Sequence, residues 1–163
     1  MNKIVLFFFL LLVVSCNIVG ETIGEVGINN EITSLENISL KKGDEIVFWS
    51  KIAVKYDTLP EIYKYKYLIS CNDIAVKYDS SYLFNGNHNL HSEKEIVKDT
   101  IKNFDDKDSI ITRNVWNFEI ENFTYKVLKD GKYSFDFKTN RQLNNSFFFD
   151  SNSISASILI RKK

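Results

Sequence analysis

The run Tyr125-Lys126-Val127-Leu128-Lys129-Asp130-Gly131-Lys132-Tyr133-Ser134-Phe135-Asp136-Phe137 decides the fold class. Beyond its glycine, rings at 133, 135 and 137 alternate with Ser134, Asp136 and Lys138. A period of two gives a strand one dry face and one wet face. Asp130-Gly131, set between two such segments, reads as a hairpin turn, because glycine tolerates the positive φ of a type I′ turn. Strands with one solvated face belong to antiparallel sheets rather than to parallel ones.

The same period recurs along the chain. Trp116, Phe118 and Ile120 alternate with Asn117, Glu119 and Glu121, and Tyr63, Tyr65 and Tyr67 alternate with Lys64 and Lys66. Ile154, Ala156, Ile158 and Ile160 alternate with Ser155, Ser157, Leu159 and Arg161. Lys41-Lys42-Gly43-Asp44, Leu59-Pro60, Asn85-Gly86-Asn87 and Asn144-Asn145 punctuate these runs. The pattern predicts an all-β protein: an antiparallel β-sandwich of jelly-roll type, with about eight strands and at most one short helix. That one exception is 92–104. Ser92-Glu93-Lys94-Glu95 matches a capping box, and Val97, Ile101 and Phe104 follow helical spacing, so the stretch reads as a short helix or an irregular strand. The hexapeptide Ile-Ala-Val-Lys-Tyr-Asp occurs at 52–57 and again at 74–79, too few copies for a solenoid.

Composition narrows the class further. The chain has 163 residues, 44% of them hydrophobic and 26% charged, which fits one globular domain and excludes a disordered or collagen-like polymer. Its 21 basic and 21 acidic side chains cancel. A neutral chain lacks the basic footprint that nucleic-acid binding needs, and none is expected.

At the amino terminus, Lys3 precedes an unbroken apolar run of eleven residues, Ile4 to Val14. A helix of that length rises about 16 Å, roughly half of a hydrocarbon core, so it reads as the core of a signal peptide. Val13-Val14-Ser15-Cys16 follows directly and resembles the lipobox of bacterial lipoproteins, with valine where leucine is usual. The resemblance implies removal of residues 1–15, a diacylglycerol thioether on Cys16, and often acylation of the new amino group. Two or three acyl chains anchor stably where one holds only marginally. It places the protein in the cell envelope, lipid-anchored to the membrane (the outer membrane if the cell is Gram-negative), with its domain on the periplasmic or extracellular side. The expected organisation is a signal peptide over 1–15, a lipidated cysteine and flexible tether over 16–35, and a β-sandwich over 36–163. The removed segment carries one lysine, so the mature chain stays near neutral and electrostatic attraction to anionic lipid should add little. With Cys16 lipidated, Cys71 has no partner for a disulfide and is expected to be a small buried thiol.

The run from Phe123 to Phe137, followed by a last aliphatic strand, resembles small jelly-roll domains of envelope proteins. Asp57-Thr58-Leu59, Asp99-Thr100-Ile101 and Asp108-Ser109-Ile110 resemble the O-glycosylation acceptor triplets of Bacteroidetes.

Candidate chemistry is sparse. His88, His91 and Glu93 are side chains of zinc-ligand type, but they sit in a polar stretch and lack the glutamate that metalloprotease helices carry between their histidines. Asp105-Asp106-Lys107-Asp108 lacks the glycine and distal glutamate of a calcium loop and reads as a solvated turn. Neither a metal nor any other cofactor is expected. Trp49, Tyr63, Tyr65, Tyr67 and Trp116 are candidates for stacking a sugar ring; the competing role for each is to fill the space between sheets. No phosphate loop, nucleophile elbow or Ser-x-x-Lys motif is present, and no enzyme is expected. The expectation is therefore a lipid-anchored envelope protein with a non-catalytic binding or structural role, contacting glycan, protein or peptidoglycan. The alternative is an inhibitor or immunity protein that neutralises a hydrolase arriving at the envelope.

Overall fold

The computed structural model describes residues 19–56, 63–84, 86, 88–102, 105–139 and 153–163. The signal segment, the lipobox with Cys16, Leu59-Pro60, Asn85, Asn87, Phe104, Asn144-Asn145 and the triplet at 57–59 lie outside them. The described chain holds nine strands and no helix: β1 Glu21–Gly27, β2 Thr33–Leu40, β3 Glu45–Tyr56, β4 Lys64–Cys71, β5 Ile74–Tyr82, β6 Asn89–Lys102, β7 Asp108–Lys126, β8 Gly131–Thr139 and β9 Ser153–Lys162.

Their pairing is nested. With β6 set aside, β4 pairs with β5, β3 with β7, β2 with β8 and β1 with β9, all antiparallel. That is one long two-stranded ribbon. Further pairings of β3 with β9 and β4 with β8 roll the ribbon into two facing sheets, β1-β9-β3-β7-β6 and β2-β8-β4-β5. The result is the expected β-sandwich, with jelly-roll strand order and one strand added at an edge.

Apolar residues of alternate parity meet between the sheets. Phe48 and Phe123 stack with ring centroids 4.4 Å apart, and Tyr67 of the opposite sheet stacks on Phe123 at 4.5 Å. Phe135, Phe137, Tyr65 and Tyr133 complete this aromatic layer, all of them buried. A bulge in the β3–β7 register between Phe48 and Trp49 leaves Asn122 as the extra residue. Its Oδ1 accepts hydrogen bonds from the hydroxyls of Ser50 (2.7 Å) and Tyr65 (2.9 Å). Both donors are buried, and without this acceptor they would lose a partner deep between the sheets.

Two expectations are corrected and one open alternative is decided. The segment 16–35 is not a tether from residue 19 onward. β1 pairs with β9 along its length, and Val26 and Ile28 enter the core. Gly24 belongs to packing rather than to flexibility, because a Cβ there would lie 2.3 Å from Leu35 Cδ2. The stretch 92–104 is strand rather than helix as far as Lys102. It pairs with β7 from Glu93 to Lys102, and Ser92 Oγ accepts a bond from Trp116 Nε1 instead of capping a helix. Its helical spacing arises because aliphatic residues occupy both faces of the strand, Ile96 on one and Val97 and Ile101 on the other.

Asp130-Gly131 closes no hairpin, since β7 and β8 lie in different sheets. Gly131 has no positive φ; a Cβ there would stand 2.6 Å from Cys71 Sγ, so glycine is required by close approach. The tight two-residue hairpin is Asn72-Asp73 between β4 and β5, with φ of 50° and 63°, as a type I′ turn demands. Cys71 is a buried free thiol beside it.

Asn122→Ala should destabilise the domain by about 2 kcal/mol, because it strands two buried hydroxyls. Urea unfolding of the variant is expected to show a lower midpoint at an unchanged slope.

Candidate functional site

The sandwich consumes most of the rings singled out in the sequence. Tyr65 and Tyr67 belong to the inner face of β4 and are buried; burial pushes the Tyr67 hydroxyl up to about 12, with the Asp79 carboxylate adding to the shift. Tyr63 is half-buried against the same core. Trp49 is buried on the outer face of the five-stranded sheet, under the Arg161 guanidinium, whose centre is 5.0 Å from the ring centroid. Val47, Leu159, Val19 and Leu90 enclose it. Trp116 is half-buried and packs against Phe118. None of Trp49, Tyr65 or Tyr67 presents a ring face to solvent, which corrects the stacking role considered for them.

His88 and His91 do not converge on one point. His88 is exposed with Nδ1 3.3 Å from Glu121 Oε2, whereas His91 occupies the bulge at the start of β6 with φ 48°. Among the described residues no three His, Cys, Asp or Glu side chains are grouped as a metal site. At the β6–β7 turn, Asp106 pairs with Lys102 at 3.1 Å.

Of the depressions on the outer faces of the described residues, two combine apolar and charged linings. The first, about 460 Å³, crosses the five-stranded sheet, where Ala53 and Ser155 leave a low floor between Glu25, Lys51, Glu93 and Glu119. Its charged groups are largely committed to one another. Glu25 accepts from Ser157 Oγ and lies 3.3 Å from Lys51 Nζ, and these contacts hold its carboxyl below the ordinary range. Glu119 lies 2.7 Å from Arg161.

The second, about 320 Å³, lies on the outer face of the four-stranded sheet. Tyr78 of β5 stands beside Leu68 of β4 and Ile32 before β2, with Lys66, Asp136 and Lys138 also lining it. Tyr78 retains 67% of its surface, far more than any ring named above. Four residues along the same strand face, Tyr82 is also exposed, with Lys64 Nζ 5.4 Å from its centroid. Here an aromatic stripe and hydrogen-bonding charges share one accessible surface. Reasoning from sequence missed this site. Its one available signal was the second copy of the repeated hexapeptide, which puts Ile74, Val76 and Tyr78 in a strand following a two-residue turn.

A third feature is an arm. Among the described residues, β7 residues 108–113 pair only with β6, beyond the last described β3 partner, Tyr56 opposite Asn114. The face that buries Phe118 continues into the arm as Ile96 and Ile110, both about 70% exposed, past the described end of the opposite sheet. Asp99 ties the arm to the sandwich, its Oδ2 lying 2.6 Å from Lys55 Nζ and 3.0 Å from Arg113 Nη1.

Family models, curated proteins and solved structures were all compared with this chain, and none matches it. No helix among the described residues is long and apolar enough to cross a membrane.

The Lys55 hydrogen bond, assisted by Arg113, holds the Asp99 carboxyl below its ordinary value of 3.8. A depressed folded value means that its contribution is complete above the unfolded value and is lost as pH falls through the folded one. Amide-exchange protection of residues 97–102 should therefore hold from neutrality to about pH 4 and fall below it. In Asp99→Asn the protection should be reduced already at pH 7.

Proposed function

We propose that the protein is a lipid-anchored component of the cell envelope, held through Cys16, that binds an envelope glycan on the outer face of the β2-β8-β4-β5 sheet. The observation that carries the ligand class is the solvent-facing ring of Tyr78 in a depression lined by Lys66, Asp136 and Lys138. A pyranose offers an apolar face of C–H bonds and a rim of hydroxyls, and it is recognised by a flat ring flanked by fixed donors and acceptors. The two lysines also suit the carboxylates of a peptidoglycan-type polymer. Tyr78 and Tyr82 are four residues apart on an extended strand, about 13 Å, a spacing that engages more than one unit of a chain. The role is retention rather than turnover.

The anchored reading draws support from the apolar run that ends in Val13-Val14-Ser15-Cys16. A second reading, inhibition of a protein that reaches the envelope, is favoured by the β6–β7 arm, because exposed aliphatic side chains on a projecting hairpin suit a protein groove.

Retention on insoluble peptidoglycan and on a glycan array should fall at least tenfold in Tyr78→Ala, with folding unchanged because the ring is exposed. A protein partner gripping the arm would instead be insensitive to that substitution and lost in Ile96→Asp. For the anchor, Cys16→Ala should leave the precursor unprocessed and unlabelled by radioactive palmitate; processing and labelling that persist would remove it.

A further inference from the structure

We infer that the end of the sandwich where the chain enters the domain is a docking surface for anionic phospholipid headgroups. The inference rests on the anchored reading, and three observations on the molecule carry it. The first is where the chain comes from. Val19 is already seated against Val47, Trp49 and Leu159, and β1 begins at Glu21. From Cys16 to Val19 is three residue steps, about 10 Å at full extension. A lipid on Cys16 would therefore bring this end of the domain to the headgroups.

The second is charge. Strand directions collect at this end the β2–β3 turn, the β4–β5 turn, the β7–β8 crossing and the end of β9. Lys41, Lys42, Lys126, Lys129, Lys132 and Lys163 are all exposed there. Two of the acids at the same end are turned to internal use. Asp44 accepts from the Lys41 backbone N–H and lies 2.6 Å from Lys162 Nζ, and Asp130 accepts from the Lys42 backbone N–H at 2.7 Å. Glu21, Glu36, Glu45, Asp73 and Asp130 are exposed at this end as well and offset much of the lysine charge, leaving a small basic excess. The tip of the β6–β7 arm, at the opposite end, carries Asp105, Asp106 and Asp108 against Lys102 and Lys107. An overall charge of zero thus hides a small basic excess at this end and a small acidic one at the arm tip.

The third is apolar. Leu128, in the β7–β8 crossing, and Ile74, directly after the β4–β5 turn, keep 70% and 63% of their surface. Aliphatic side chains among lysines are the composition of a surface that settles into the headgroup region. The turns that carry them are fixed rather than loose. Gly43 N–H donates to Val127 O, Val127 N–H to Asp44 O, Asn72 N–H to Lys132 O, and the Tyr133 hydroxyl to Lys129 O. The surface is therefore held in shape before contact.

The test uses the natively lipidated protein, reconstituted in vesicles of phosphatidylcholine with one-third phosphatidylglycerol and a nitroxide-labelled lipid. A fluorophore is attached at Lys163→Cys or at Lys107→Cys; Cys71 is fully buried and does not compete for label. Quenching at position 163 should exceed that at 107 several-fold. It should drop at least twofold when Leu128→Asp is added to the first variant, and also when phosphatidylglycerol is omitted. Equal quenching at both positions, stronger quenching at 107, or no response to either change would overturn the docking surface while leaving the anchor in place. Protein that does not float with the vesicles at all would overturn the anchor, and this surface with it.

Discussion

The layer of rings between the two sheets is the constraint on which the remaining structure depends. Phe48, Phe123 and Tyr67 form a stack that starts on one sheet and ends on the other, and Phe135 and Phe137 approach Phe48 at 5.5 and 6.2 Å. Each such pair adds about 0.5–1.5 kcal/mol beyond the area it buries. More importantly, the layer fixes parity: a one-residue slip of β3, β4 or β8 would turn these rings to water and bring lysines inward. The Asn122 bulge is compatible with this parity only because it supplies the acceptor that Ser50 and Tyr65 need. Register, bulge and polar node therefore stabilise one another.

The repeated hexapeptide separates local sequence from position in the fold. Ile52, Val54 and Tyr56 of the first copy are at most 5% exposed, in a strand flanked on both sides by partners. Ile74, Val76 and Tyr78, the same residues in the same order, keep 63%, 37% and 67% in an edge strand. Propensity is identical in the two copies, so the difference is set by the ribbon. β3 lies mid-sheet under the opposite layer, whereas β5 is the tip of the nested hairpin and has a neighbour on one side only. A bulge between Ile69 and Ser70 adds to this by shifting the parity of β5 at its start. Apolar composition suited to a core strand, placed where no described residue covers it, is what makes this face a candidate for binding.

This also explains how much was legible beforehand. Alternation at 116–120, 133–137 and 154–160 identified inward faces correctly, because a sandwich core demands period two and those strands are central. Edge strands obey the demand weakly. β6 carries aliphatics on both faces, and its spacing imitates a helix until the β7 ladder is seen. Glycines misled for a different reason. Gly24 and Gly131 are dictated by atoms distant in sequence, Leu35 and Cys71, and no local reading distinguishes that requirement from a flexible link or a turn. The candidate site was illegible on the same ground. Choosing Tyr78 over Tyr65 or Tyr67 requires knowing which strand lies at the edge, and that is a property of long-range pairing.

Anchor, binding face and arm place related demands on orientation. In the proposed setting the lipid enters at one end of the strands, so the strands rise away from the bilayer and their faces become side walls. The Tyr78–Tyr82 stripe runs along β5, starting from the hairpin beside Lys132 and leading away from the basic end. A polymer bound along it would be gripped on the flank of the domain, leaving the basic end against the headgroups. The arm points the other way, and its acidic tip would be repelled by an anionic surface, which reinforces the same orientation. A neutral chain can thus carry a small charge bias along its strands, because folding gathers six exposed lysines at one end and three aspartates at the arm tip. The amino-acid count conceals that bias, and the strand directions create it.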